Sequence, residues 1–445
     1  MKHFYFLVTL LMVVCQSSLA QMVWDGTSST WTKGEGTATD PYLIETPQNL
    51  SFLKDEVNSG KSFEGIYFKL VNNLDMGGEK AFGPIGSYNK YTDTDTYEEV
   101  DASKYFLGIF DGNFKTIDNL YINLNKEDMI GGTGLFACIN KGTVIKNLTI
   151  GKKSVVKGGD VTGAFVGQMT GGQVLNCKND GSVTAGSFTS GIVGTIEDGT
   201  ISGCVNSGKI IGQTEVGGIV GQAAGNNSVI TYCYNIGTVQ ALGYGGAGIA
   251  GALYDKITVK NCYNIGNISG LSNTWMGSPH AITADAGSAT VSDCYYVESL
   301  TGQDDSKATV KTIDEMKSAE MIDLLNKGAE DKPFATDDNN INNGYPILAW
   351  QKDVTTGIAT LAQNSGKSSR LIEVRSYDGK LISAGRELPS LSKGIYLITK
   401  DGQTSKTDEQ TDSFADYYSH ITNCCLCPEI CEDNHQVRRI LGAYT

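Results

Sequence analysis

Between Leu107 and Cys294 apolar and polar positions follow one another in a fixed order. A glycine-led apolar run is followed by a polar turn, a second short run, and a turn rich in Asn and Gly. Gly-Ala-Phe-Val-Gly (163–167) leads to Asn-Cys-Lys-Asn-Asp-Gly (176–181). Gly191-Ile-Val-Gly194 leads to Gly-Cys-Val-Asn-Ser-Gly (203–208), and Gly218-Ile-Val-Gly221 to Tyr-Cys-Tyr-Asn-Ile-Gly (232–237). Gly248-Ile-Ala-Gly251 leads to Asn-Cys-Tyr-Asn-Ile-Gly (261–266). Looser copies precede these at Gly108-Ile-Phe110 and Gly134-Leu-Phe136. Val291-Ser-Asp-Cys294 closes the series after an insertion, Leu271 to Ala289. Each run has strand length and cannot bury its apolar side alone. Stacked in register as parallel strands, about 4.8 Å apart, the runs cover one another. The pattern therefore predicts an all-β fold, a parallel β-helix (solenoid) of about seven rungs, with helical and β caps.

Column by column, the repeat explains itself. The inward position of the second run is Leu120, Leu148, Cys177, Cys204, Cys233, Cys262 and Cys294. Leu and Cys share it, so Cys reads as a small buried hydrophobe. Side chains of in-register parallel strands point the same way, which strains a disulfide between rungs, so free thiols are expected. Asn179, Asn206, Asn235 and Asn264 follow two residues later, and Gly181, Gly208, Gly237 and Gly266 two further on. The asparagines are expected to stack as an amide ladder, with the glycines relaxing the bend beside it.

The flanks carry other patterns. Residues 21–105 read as an N-terminal capping module, with a helix started by Thr46 and Pro47 and faced by Leu50, Leu53 and Val57. Tyr91 to Asp101 is an acidic insertion that reads as a solvated loop rather than a calcium site. Residues 301–352 read as a C-terminal cap, with an amphipathic helix from Thr312 to Lys327 carrying Met316, Met321, Leu324 and Leu325. Residues 353–369 are linker-like, and 370–407 alternate as a small antiparallel β module with Asp-Gly turns. Residues 408–445 hold Cys424, Cys425, Cys427 and Cys431 between His420 and His435. Their spacing matches no paired zinc pattern, and the segment reads as a disordered tail.

Composition narrows the function. The chain has 445 residues, 54 of them Gly, and a net charge of −14. Such acidity disfavours nucleic acid and anionic membranes as partners. Lys2 and His3, the apolar run Phe4 to Val14, and Ser18-Leu19-Ala20 read as an export signal over residues 1–20. No later segment has the length and apolarity of a transmembrane helix. The chain is thus expected outside the cell or on its surface.

Catalytic patterns are sparse. The rung carboxylates Asp160, Glu197, Asp198, Glu215 and Asp255 fall mostly at turns and in different columns. There is no His-Glu-x-x-His sequence, and His280 is the only histidine in the repeats. The reading is therefore of a chain that is not an enzyme, with no catalytic residue, metal or cofactor. A polysaccharide-processing β-helix enzyme and a purely structural spacer are the alternatives. One binding pattern stands out: Tyr232, Tyr234, Tyr263 and Tyr295 flank the Cys column. They are expected to rise as an outward aromatic strip. Exposed, it would bind glycan or a host surface protein; the alternative is that the rings stabilise one another across strands or lie under the C-terminal segment.

The Gly-x-aliphatic-Gly units at 191–194, 218–221, 248–251 and 163–167 resemble the GLUG-motif repeat proteins of Bacteroidetes. Phe110-Asp-Gly-Asn-Phe-Lys-Thr-Ile117 and Asn343-Gly-Tyr-Pro-Ile-Leu348 are similar to segments that precede and follow such repeats. The resemblance spans residues 24–350. It implies a secreted or surface-attached β-helix without implying an activity, since the motif is found both in adhesins and in some metallopeptidases that cleave immunoglobulin A. The latter activity does not carry over without a His-Glu-x-x-His sequence. Tyr377-Asp-Gly-Lys380 and Lys393-Gly-Ile-Tyr-Leu397 resemble a C-terminal sorting domain of type IX secretion. That likeness implies outer-surface attachment through this module, although such signals end their chains and this one continues past Thr407.

Overall fold

The computed structural model describes residues 22–124, 131–271, 279–284, 286–299 and 305–352, and the backbone of four strands between 372 and 409. It divides into two compact units, Met1–Lys352 and Asp353–Thr445. The expected export segment, the linker over 353–369 and the cysteine-rich residues 410–445 lie outside the described residues.

The first unit is the parallel β-solenoid that the repeat predicts. One turn consists of the strands Thr162–Gly163, Val166–Thr170, Gln173–Leu175, Lys178–Asn179 and Ser182–Thr184. The next repeats them at Thr189–Ser190, Val193–Glu197, Thr200–Ser202, Val205–Asn206 and Lys209–Gly212. All pair in parallel, with Thr162 beside Thr189, Val166 beside Val193, Gln173 beside Thr200 and Lys178 beside Val205. The third and fourth strands of every turn belong to one long sheet, bent between them.

The stack starts earlier than the motif. Tyr42–Ile44 pairs with Tyr67–Leu70, which pairs with Ile109–Asp118 and through it with Val144–Ile150. Residues of the expected capping module thus supply the first rungs, and the solenoid has about eight turns. These runs lack the glycine signature yet alternate correctly, with Phe68 and Leu70 buried between half-buried neighbours.

The interior is a set of columns. Ile145, Val174, Ile201, Ile230 and Val259 fill one, and Leu148 followed by the five ladder cysteines fills another, all buried. Those cysteines are free thiols. The Asn ladder forms as expected. Asn179 donates to Asn206 at 2.9 Å, Asn206 to Asn235 at 2.7 Å and Asn235 to Asn264 at 2.8 Å.

The glycines serve close approach rather than a bend. A β-carbon on Gly208 would sit 1.8 Å from the Gly181 carbonyl oxygen, and one on Gly237 2.1 Å from that of Gly208. The paired glycines of the Gly-Ile-Val-Gly unit have the same origin. A β-carbon on Gly218 would meet the Gly248 carbonyl at 2.1 Å and the Asn235 side chain at 2.7 Å. One on Gly221 would meet Phe188 of the preceding rung at 2.4 Å.

At the N-terminal side, helix α1 (Pro47–Asn58) has Thr46 as its cap in a capping box with Asn49 and buries Leu50, Leu53 and Val57. The single helix expected over 312–327 is instead two, α2 (Ile313–Met316) and α3 (Ala319–Leu325). Ser318 interrupts it by accepting the Met321 amide as a new N-cap, which favours a fresh start over continuation. The acidic insertion is an ordered antiparallel hairpin, Lys90–Thr92 with Glu99–Asp101. In the second unit, the strands Leu381–Gly385, Ile372–Ser376, Gly394–Lys400 and Gln403–Glu409 lie in that order as an antiparallel sheet.

Candidate binding surface

The four tyrosines do not form a solvent-facing strip. Tyr234, Tyr263 and Tyr295 stack in register next to Val205 and point out of the barrel. They are nevertheless 1%, 0% and 6% exposed. The segment 313–350 lies along the side of the solenoid and covers them with Met316, Met321, Leu325, Phe334 and Leu348. Tyr234 and Tyr263 stack nearly parallel, 4.7 Å between centroids. The Tyr234 hydroxyl donates to Gln351 Oε1 at 2.8 Å. That of Tyr263 donates to the Pro346 carbonyl and accepts from Asn342. Burial pushes both phenols above their ordinary range. These rings hold the cap to the barrel.

Tyr232 is a different case. Its φ is +52°, as at Asn147, Asn176 and Asn261 in the same column, with Gly203 at +65°. The column is the left-handed corner of the long sheet, where Asn and Gly are favoured. Tyr232 is tolerated there because its ring packs on the cap cluster.

The open face lies across that corner. Four strands of the long sheet, Gln173–Leu175, Thr200–Ser202, Val229–Thr231 and Thr258–Lys260, bury the central residue and turn the two ends outward. One outward column reads Gln173, Thr200, Val229, Thr258, Thr290. The other reads Leu175, Ser202, Thr231, Lys260, Ser292. None is a carboxylate, on a chain with 49 acidic residues. Thr231 donates across to the Ser202 hydroxyl at 3.2 Å. This face is therefore a regular array of hydroxyls and methyls with the Lys260 ammonium at its edge.

A third feature breaks the repeat. The Glu215 side chain accepts from Gln222 Nε2 at 3.0 Å and from the Tyr254 hydroxyl at 3.2 Å. Thr195, beside Gln222 on the preceding rung, donates to Gln168. The sequence placed Glu215 among turn carboxylates. No single residue of the sequence marked the cluster, since the column of Gln222 runs Gln168, Thr195, Gln222, Ala252 and Tyr254 follows the end of its strand.

The other rung carboxylates serve the fold. Asp198 accepts from the Asn227 amide at 2.9 Å, Asp255 from Gly225 and Asp160 from Ser187. His280 joins the last rung through a bridge to Ala247. Among the described residues no cluster of three His, Cys, Asp or Glu has metal-binding geometry. No helix among them is long and apolar enough to cross a membrane.

No family model matches the chain. It is 29% identical over 177 residues to a "Putative Gly-rich membrane protein" of Evansella cellulosilytica, covering 38% of this chain and 18% of that protein. It is 29% identical over 163 residues to the "Halomucin" of Haloquadratum walsbyi, covering 34% of this chain and 2% of that protein. The chain thus spans less than a fifth of the curated relatives it matches. A crystal structure described as a "putative immunoglobulin A1 protease" from Bacteroides ovatus superposes with a TM-score of 0.50 at 20% identity. The match covers 72% of this chain and 95% of that one, and at this identity it establishes a shared fold. It also corrects the expectation of a chain that is not an enzyme: a protein with the same architecture bears the name of a protease, so the solenoid itself does not exclude catalysis.

Proposed function

We propose that this chain is a surface-associated or exported β-solenoid that holds an extracellular glycan, free or on a host protein, along the outer face of its long sheet. The observation that carries the reading is the outward pair of columns from Gln173 to Ser292. Rungs about 4.8 Å apart present hydroxyls at a constant spacing, which suits a polymer that itself repeats. Hydroxyls are donors and acceptors at once, and the methyls of Thr and Val offer apolar contact to sugar C–H groups. The absence of carboxylates removes repulsion toward acidic glycans, and Lys260 adds attraction. The similarity to a protein named for the membrane supports a surface setting.

The test is a glycan array probed with the full chain, with released products analysed in parallel and immunoglobulin A1 included among the host glycoproteins. The reading expects retention of a defined set of linear glycans. Retention of none, with shortened saccharide or cleaved immunoglobulin instead, would replace it with an enzymatic function.

A further inference from the structure

We infer that Glu215, Gln222 and Tyr254 form a further sugar-hydroxyl subsite, an inference that rests on the glycan reading above. They lie on or beside the strands Val216–Gly217, Val220–Ala224 and Ala250–Leu253 of the two shorter sheets and not on the long sheet. In a solenoid, whatever the coil requires recurs rung after rung. Glu215 occupies a left-handed corner with φ +52°, and the equivalent corners hold Gly132, Val161, Phe188 and Gly245, all with positive φ. The corner therefore needs no carboxylate, since glycine or an apolar residue builds it equally well. Gln222 stands in register with Thr195 and Ala252, so its amide is not demanded by the sheet either. Three polar side chains that the coil does not require converge at this rung.

Their chemistry defines the ligand. Glu215 is 7% exposed, and no lysine, arginine or histidine lies within 4 Å of its carboxylate among the described residues. A buried carboxylate normally has a cation or a full set of donors, because burial penalises its charged form. Here its recorded donors are an amide and a phenol, which leaves part of its four-site acceptor capacity for a ligand. Tyr254 has its hydroxyl on Glu215 but is 42% exposed, so part of its ring lies open beside the carboxylate. A carboxylate that accepts from vicinal hydroxyls next to an aromatic face for the ring C–H groups is the arrangement a hexose residue fits. The carboxylate would repel a uronate or sulfate at this position, so the subsite selects a neutral or amino sugar.

The experiment compares the full chain with Glu215→Gln, Tyr254→Ala and Gln222→Leu on the glycan array. The best-retained glycan is then titrated by calorimetry, and far-UV circular dichroism and thermal unfolding serve as folding controls. Each variant should lose at least tenfold in affinity with an unchanged fold, and the loss should be largest for glycans ending in neutral or amino sugars. Should Glu215→Gln disturb folding, Tyr254→Ala decides, since its ring is partly exposed. Wild-type affinity in Tyr254→Ala overturns the subsite and leaves the glycan reading standing. A wild-type chain that binds no glycan overturns both.

Discussion

Asn235→Ala probes the amide ladder that links four successive turns of this solenoid. The Asn235 amide donates to Asn264 Oδ1 at 2.8 Å and to the Gly237 carbonyl at 3.1 Å. Its carbonyl oxygen accepts from Asn206 at 2.7 Å and from the Gly237 amide at 3.3 Å. The side chain is fully buried, so water cannot replace these partners. Each hydrogen bond contributes about 1 kcal/mol net, and a buried group left without a partner costs about 1–3 kcal/mol. Some partners keep a second bond. The Gly237 amide still reaches the Asn206 carbonyl at 3.1 Å, and Asn264 Oδ1 still accepts from Gly266. The sum is a loss of about 3–5 kcal/mol. Asn179 begins the ladder, with Ile150 as its neighbour on the preceding rung, and makes one such bond fewer. Asn179→Ala should therefore cost about 1 kcal/mol less. Urea unfolding followed by far-UV circular dichroism measures both, and hydrogen exchange should place the extra opening in the rungs around 206–264. A cost below about 1 kcal/mol for Asn235→Ala, or an equal cost at Asn179, would refute the cooperative ladder.

Three further outcomes follow from the same packing. Gly218→Ala should cost about 3 kcal/mol or more in the same assay despite an ordinary φ, because its β-carbon would collide with the Gly248 carbonyl and the Asn235 side chain. Tyr263→Phe should lower stability by about 1–3 kcal/mol, since the Asn342 amide loses a buried acceptor, while leaving glycan binding as in wild type. Burial pushes the Cys138 thiol up to about 12 from an ordinary value of 9.0, and raises Cys177, Cys233 and Cys294 as well. Such groups favour the fold fully below pH 9, where both states are protonated. Above pH 9 the unfolded chain releases protons that the fold retains, so stability falls as pH rises, by about 1.4 kcal/mol per pH unit from Cys138 alone. Urea midpoints from pH 7 to 10.5 check this, and a flat profile would mean the thiols reach solvent.

The sequence revealed the solenoid because every rung writes the same physical demand into the chain. Inward Cys and Leu share a column, the Asn ladder needs Asn at each step, and the close approach beside it admits only Gly. The tyrosines show where such reading stops. Their direction out of the barrel was legible, because Tyr234 flanks an inward Cys. Their burial under the C-terminal segment was legible only as an alternative, because the contacts that decide it involve Gln351, 117 residues away, and Pro346, 83 residues from Tyr263. A periodic pattern carries no record of a segment that folds back along the side of the coil. Tyr232 was decipherable in principle, since Asn147, Asn176, Gly203 and Asn261 mark its column as a turn. The first rungs were missed because Phe68 and Leu70 satisfy the interior without a glycine pair. The Glu215 cluster was missed because its partners come together only once the rungs are stacked.

The glycan-binding face can be tested at its centre. Thr231 and Thr258 occupy adjacent rungs and turn outward, so the pair Thr231→Glu and Thr258→Glu places two carboxylates on the stretch from Gln173 to Ser292, whose outward columns have none, without touching the interior. Surface plasmon resonance against the glycan retained on the array should show binding reduced at least tenfold, with an unchanged unfolding midpoint. Undiminished binding by this variant would contradict the face as the site of contact.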